Sequence, residues 1–256
     1  FSIADSDLLL WAKALALGMN LDVEVREPDV WPLAVQGPRA EDLAARVFGD
    51  GVRSVRYFSF LECDFHSRQL VVARSGYSKQ GGYEIYLDDS PLGITLWDTL
   101  WEAGADLQVA PGCPNLIERI EAGLLSYGNE MTRENNPLEI NLDRFCHLEG
   151  EIDYIGRSAL EAIAAQGPSQ RMRGLLIDGT PCPPCGKPWP VLVGDIKVGQ
   201  VTSAIWSPAF RQNVGLSLID KDHWNPGTPV TVLLPDGHEL DAVIASLPFT
   251  VSSSTP

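Results

Sequence analysis

Leu8, Trp11, Ala12 and Leu15 recur at helical spacing until Gly18, behind an Asp- and Ser-bearing cap at residues 2–7, and predict an amphipathic helix. Residues 21–25 alternate apolar and polar like a strand, Pro28 and Pro32 interrupt the chain, and residues 33–36 ahead of Gly37-Pro38 read as a second short strand. A helix is expected over about residues 40–47, then strands near 55–60, 69–74 and 83–87, then helices near 91–103 and 115–125. The order β-α-β-β-β-α-α argues a mixed α+β layer.

After Asn136-Pro137 the texture changes to loops, a short helix at residues 157–165 and a Gln166-Gly167-Pro168 linker. From Arg171 onward short apolar runs at residues 174–177, 190–193, 199–204, 214–218, 230–234 and 242–247 are separated by Gly, Pro, Asp and Asn turns. That pattern predicts a small antiparallel barrel or sandwich. The expected organisation is therefore α+β: a mixed α/β region over residues 1–168, then a C-terminal β-barrel domain over 169–256, with residues 252–256 a frayed tail.

Composition narrows the function classes. A chain of 256 residues with 45% hydrophobic and 21% charged positions is a soluble globular protein with a substantial core. Its 19 Lys and Arg against 34 Asp and Glu give a formal charge of -15, and no basic patch stands out, which argues against nucleic acid as a partner. The apolar run at residues 8–17 is interrupted by Lys13 and falls short of the roughly 20 residues that cross a bilayer, so no membrane span is expected. There is no basic leader with a cleavage site, and 5 cysteines are an odd set that favours a reducing compartment, the cytoplasm by default.

Candidate chemistry is sparse. Cys182-Pro183-Pro184-Cys185 has metal or dithiol spacing, but no second pair accompanies it, and His66, His147, His223 and His238 are scattered; a proline-stiffened turn is the expected role. No G-x-S-x-G elbow argues for hydrolysis, and Lys79-Gln80-Gly81-Gly82 fits no phosphate-cradling pattern, so a dinucleotide or nucleoside triphosphate is not expected. The stretch from Arg74 to Tyr86 says more. Period-two alternation sends Tyr83 and Ile85 to one face and Glu84 and Tyr86 to the other, just beyond paired glycines. A carboxylate beside a phenol offers two parallel acceptors for a pterin edge and a ring for a flat heterocycle or a cation, although Glu84 on the wet side of a strand is the bland alternative. In the helix at 115–125, Leu116, Ile120 and Leu124 form the core stripe and leave Glu118, Arg119 and Glu121 on polar faces, where a surface ion pair is expected.

Taken together, these segments resemble the glycine-cleavage T-protein (aminomethyltransferase) family, and more closely its branch of dimethylsulfoniopropionate demethylases. The resemblance runs through residues 2–7, 33–38, 74–86, 117–129, Tyr154-Ile155-Gly156-Arg157 and residues 201–208; Ser78-Lys79-Gln80 looks like the demethylase version of a stretch that is typically Thr-Gly-Glu-Asp in aminomethyltransferases. It implies a one-carbon transferase that uses tetrahydrofolate, moving a methyl group from a sulfonium such as dimethylsulfoniopropionate to the folate. Aminomethyl transfer in glycine cleavage and a non-catalytic folate-binding relative are the alternatives. Glu84 would hold the pterin ring, with Tyr86, Tyr77, Ser78 and Arg119 completing the cofactor set; Ser2, Tyr77 and Tyr86 would meet the small-molecule substrate, with Trp31 a further aromatic candidate. No catalytic residue is assigned. The chain departs from the family at Asn115, where aminomethyltransferases have a functional arginine, at Tyr77, commonly tryptophan in the demethylases, and after Pro248-Phe249, where the family's tyrosine is absent. Family members also begin well upstream of Phe1. The implied first domain is thus incomplete at its N-terminus, completed by a longer chain, a second chain or a homo-oligomer, and weak or no turnover is expected of this piece alone.

Overall fold

A computed structural model describes residues 8–250, which divide into two units that part between Pro114 and Asn115. In the first, a four-stranded antiparallel sheet has the order β1 (Trp31–Gln36), β4 (Gly82–Leu87), β3 (Arg68–Ala73), β2 (Phe60–Phe65). Helices α2 (Ala40–Phe48) and α3 (Leu92–Ala103) supply Leu43, Ala44, Leu96 and Leu100 to a core shared with Leu70 and Val72 of β3 and Tyr83, Ile85 and Leu87 of β4. The sequence alternation of β4 is thereby explained: its odd positions are sealed under helices and its even positions lie on the other side. Helix α1 (Leu8–Gly18) forms where its spacing predicts but buries none of its residues, and Leu17 is 84% exposed. The expected cap at residues 2–7 and the tail at 252–256 lie outside the described residues.

Two expected strands are corrected. Residues 21–25 form none, because the Leu21 amide donates to Ala16 O and the Val23 amide to Leu21 O, local bonds that draw the segment back toward the end of α1. Instead of a strand at 55–60, the chain makes a 3₁₀ turn at Asp50–Ser54 and a further turn in which the Ser59 amide donates to Arg56 O. Strand β2 starts only at Phe60 and turns into β3 through His66 and Ser67, both at positive φ (47° and 65°). That is the backbone handedness a two-residue hairpin needs, here without the Asn-Gly that would announce it. Among the described residues β1 lies at the sheet edge, which accommodates Pro32.

The second unit is built on a closed antiparallel barrel, β10-β5-β8-β7-β6-β9, with β5 (Gln170–Ile177), β6 (Trp189–Val193), β7 (Ile196–Ser207), β8 (Gln212–Asp220), β9 (Pro229–Leu233) and β10 (Glu239–Ala245). All six expected strands are present and the barrel alternative holds over the sandwich. Leu175, Ile177, Trp189, Val191, Val201, Val232 and Ile244 fill one apolar cluster. A second, with Met172, Leu216 and Leu218, takes in Ile120 of α4 (Leu116–Glu121). The helix expected to run to 125 stops at Glu121 because Gly123 adopts φ +68. Helix α4 and the loops up to α5 (Arg157–Gln166) belong with the barrel by their contacts, while the composition change near 168 marks where the barrel strands begin. Among the described residues no helix is long and apolar enough to cross a membrane.

Candidate functional site

Directly opposed residues of an antiparallel pair share a face. Ala34 of β1 and Ala73 of β3 therefore flank Glu84, and Pro32 and Val71 flank Tyr86, on the sheet face away from α2 and α3. Glu84 and Tyr86 are both half-buried. Small neighbours on either side leave the carboxylate standing above a low floor. The Ser75 hydroxyl donates to Glu84 Oε2, which fixes the side chain's orientation. Trp31 is opposite Leu87, on the helix side of the sheet, and 62% exposed; the expectation that it joins this aromatic group is corrected by the register.

The segment joining β3 to β4 is organised by Gln36, the last residue of β1. Its Nε2 donates to Ser75 O (3.0 Å) and to Tyr83 O (3.2 Å), and its Oε1 accepts from the Ser78 hydroxyl (2.7 Å). Two glycines make room: a Cβ at Gly76 would stand 2.1 Å from Gln36 Oε1, and one at Gly82 would stand 2.2 Å from Val35 O. Ser78 thus faces Gln36, and Tyr77 beside it is partly exposed. On the helix side, Tyr83 donates its hydroxyl to Val52 O (3.0 Å), burial pushes its phenol pKa up, and Arg74 lies over its ring while bonding Glu41 at 3.0 Å. A concavity of about 250 Å³ opens there among Gly37, Glu41, Asp42, Arg74, Gln80 and Gly82, and its lining does not include Glu84 or Tyr86. Ser2 lies outside the described residues.

Arg119 sits in the other unit, and its expected surface position is corrected. It is 6% exposed, and Glu121 on the same helix is also buried, because β7 covers this side of α4 with Ser203 and Ser207. The Arg119 guanidinium donates to Glu130 Oε2 (3.1 Å), Leu124 O (3.2 Å) and Ser203 Oγ (2.7 Å). Glu130, 1% exposed, also accepts from the Ser126 amide (2.6 Å), the Ser203 hydroxyl and the Thr202 hydroxyl (3.5 Å). Asn115 caps α4, accepting from the Ile117 amide at 2.9 Å. Cys182 and Cys185 pack against the barrel core, and burial, with the charges of Cys182 and Glu130 adding to it, pushes the Cys185 thiol up to about 11. Sequence reasoning singled out neither Gln36 nor Ser75 nor Glu130. The glycines at 76 and 82 were the available signal for Gln36, since each makes room for a neighbour that only the fold identifies.

The GCVT N-terminal domain profile matches residues 2–150, and the glycine cleavage T-protein C-terminal barrel domain profile matches residues 170–250. The chain belongs to the glycine cleavage T-protein family. Within the family it is 54% identical over 236 residues to the dimethylsulfoniopropionate demethylase DmdA of Ruegeria pomeroyi, covering 92% of this chain and 64% of that protein. It is 34% identical to the aminomethyltransferase of Symbiobacterium thermophilum, covering 90% of this chain and 62% of that one. The aminomethyltransferase T structure from Bartonella henselae shares the fold at a TM-score of 0.71 and 22% identity, over 94% of this chain and 66% of that chain. The chain thus spans a little under two thirds of the curated relatives it matches.

Proposed function

We propose that the protein to which this chain belongs demethylates a dimethylated sulfonium carboxylate, dimethylsulfoniopropionate or a compound of its build, using tetrahydrofolate as the methyl acceptor. The observation that carries this reading is the gap between 54% identity to a demethylase and 34% to an aminomethyltransferase over almost the same residues.

The sheet face suits a reduced folate. With Oε2 of Glu84 taken by Ser75, its orientation is set and acceptor capacity remains for adjacent N–H donors such as those on the edge of a pterin. Ala34 and Ala73 leave space beside it, and Tyr86, two residues along β4, offers a ring on the same face. Tetrahydrofolate, when bound, supplies the nitrogen nucleophile that takes the methyl group. The C–S electron pair leaves with sulfur, producing a neutral thioether, and the nitrogen that gains the methyl group releases its own proton to water, so the residues need to deliver no proton. Their work is to orient the folate through Glu84, to present aromatic surface from Tyr86 and Tyr77 to a cation, and to displace water.

The full-length protein given dimethylsulfoniopropionate and tetrahydrofolate should yield methylthiopropionate and 5-methyltetrahydrofolate in equal amounts. Formation of 5,10-methylenetetrahydrofolate and ammonia from an aminomethylated lipoyl carrier, with no turnover of the sulfonium, would replace this reading by aminomethyl transfer.

A further inference from the structure

Gln36 stands on a different strand from Glu84, yet it governs the segment from which Glu84 is oriented. Both N–H donors of its amide and its carbonyl are engaged, by Ser75 O, Tyr83 O and Ser78 Oγ. These three partners bracket the connection between β3 and β4, one at each end and one in the middle. The tightest approaches are to glycine: any side chain at Gly76 would occupy the place of the Gln36 amide, and a Cβ at Gly82 would come within 2.9 Å of its Nε2 as well as of Val35 O. A half-buried glutamine loses rotamer freedom by being held this way, and a loop needing only closure could be closed by one such bond. Three bonds and two glycines fix one geometry. What that geometry delivers is the Ser75 hydroxyl: the Ser75 carbonyl is held by Gln36 Nε2, and the hydroxyl of the same residue donates to Glu84 Oε2.

We propose that Gln36 is a positioning residue for the folate carboxylate, acting through Ser75 to hold Glu84 in the orientation that meets the ligand. The inference rests on the reading of Glu84 given above. It assigns no contact between Gln36 and ligand; the effect travels from amide to Ser75 backbone, from Ser75 hydroxyl to carboxylate.

A double-mutant cycle on the full-length protein tests it, with tetrahydrofolate dissociation constants measured by calorimetry and melting temperatures measured alongside. Gln36→Ala should weaken folate binding about 5- to 20-fold when Glu84 is present and less than 2-fold in a Glu84→Gln background, whereas its effect on melting should be the same in both. Ser75→Ala should reproduce the binding loss with a smaller change in melting. Equal weakening by Gln36→Ala in both backgrounds, or none in either, overturns the proposal. If Gln36→Ala does not fold, Gln36→Glu keeps the shape but places an acceptor against Ser75 O and Tyr83 O, and Ser78→Ala removes one contact of the amide; folate affinity unchanged in both overturns the proposal. The two readings fail separately. Glu84→Gln weakening the binding while Gln36 and Ser75 variants do not sinks only the positioning role; wild-type protein that binds no folate, or Glu84→Gln with unchanged affinity, sinks both.

Discussion

The two units each hold a carboxylate bonded by a serine hydroxyl, and they surround it in opposite ways. Glu130 is sealed beside the barrel, where an arginine, a backbone amide and two hydroxyls occupy its oxygens. Glu84 is half-buried on the sheet face away from α2 and α3, with Ser75 on one oxygen. A buried charge with its partners already in place holds structure together; a partly exposed one, oriented but with acceptor capacity to spare, is what the proposed folate-binding role of Glu84 requires.

The largest test of this contrast is Glu130→Ala. It would leave Arg119 buried without its carboxylate and should cost about 3–5 kcal/mol of stability, read in denaturant unfolding, with the paired change Arg119→Met, Glu130→Leu recovering much of the loss. Glu84→Gln should do the converse: melting nearly unchanged, tetrahydrofolate binding weaker by about 1–3 kcal/mol, because an acceptor becomes a donor facing donors. A large loss of stability there, or none for Glu130→Ala, would break the comparison. A smaller effect sharpens it on the barrel side. Because the folded state holds the Cys185 thiol near 11, above its ordinary value of 9, the stabilisation linked to it is complete below about pH 9 and lost as pH rises through 9 to 11. At pH 8 the exposed Cys113 should therefore be alkylated well before Cys182 and Cys185, as mass spectrometry after timed iodoacetamide treatment will show. The smallest effect belongs to an exposed pair. Arg46 holds the Asp106 carboxyl down to about 2, so its contribution is present above the ordinary value of 3.8 and lost as pH falls toward 2; Asp106→Asn should leave melting at pH 7 essentially unchanged.

Much of this was legible in the chain. Period-two alternation placed Glu84 and Tyr86 on one face and Tyr83 and Ile85 under the helices, because a strand covered on one side writes its burial into every second residue. The barrel strands were legible for the same reason, being short, apolar and punctuated by turns. What failed was information that resides in partners. Arg119 reads as a surface cation when only its own helix is considered, and the fold supplies Glu130 from eleven residues on and Ser203 from a strand more than eighty residues away. Residues 21–25 alternate convincingly, but alternation cannot say whether a neighbouring edge exists. Gln36 carries no pattern, since its role is set by backbone groups about forty positions later.

The two sheets also differ in what they expose to other molecules. The barrel closes on itself, whereas among the described residues the four-stranded sheet ends in β1 on one side and β2 on the other. Those borders carry their own deterrents: Pro32 withholds a donor from any strand that would add to β1, and Glu62 and Asp64 set negative charge along β2 in a chain already at -15. Replacing Pro32 and the two acids together would remove those deterrents from the sheet unit and leave the barrel unchanged.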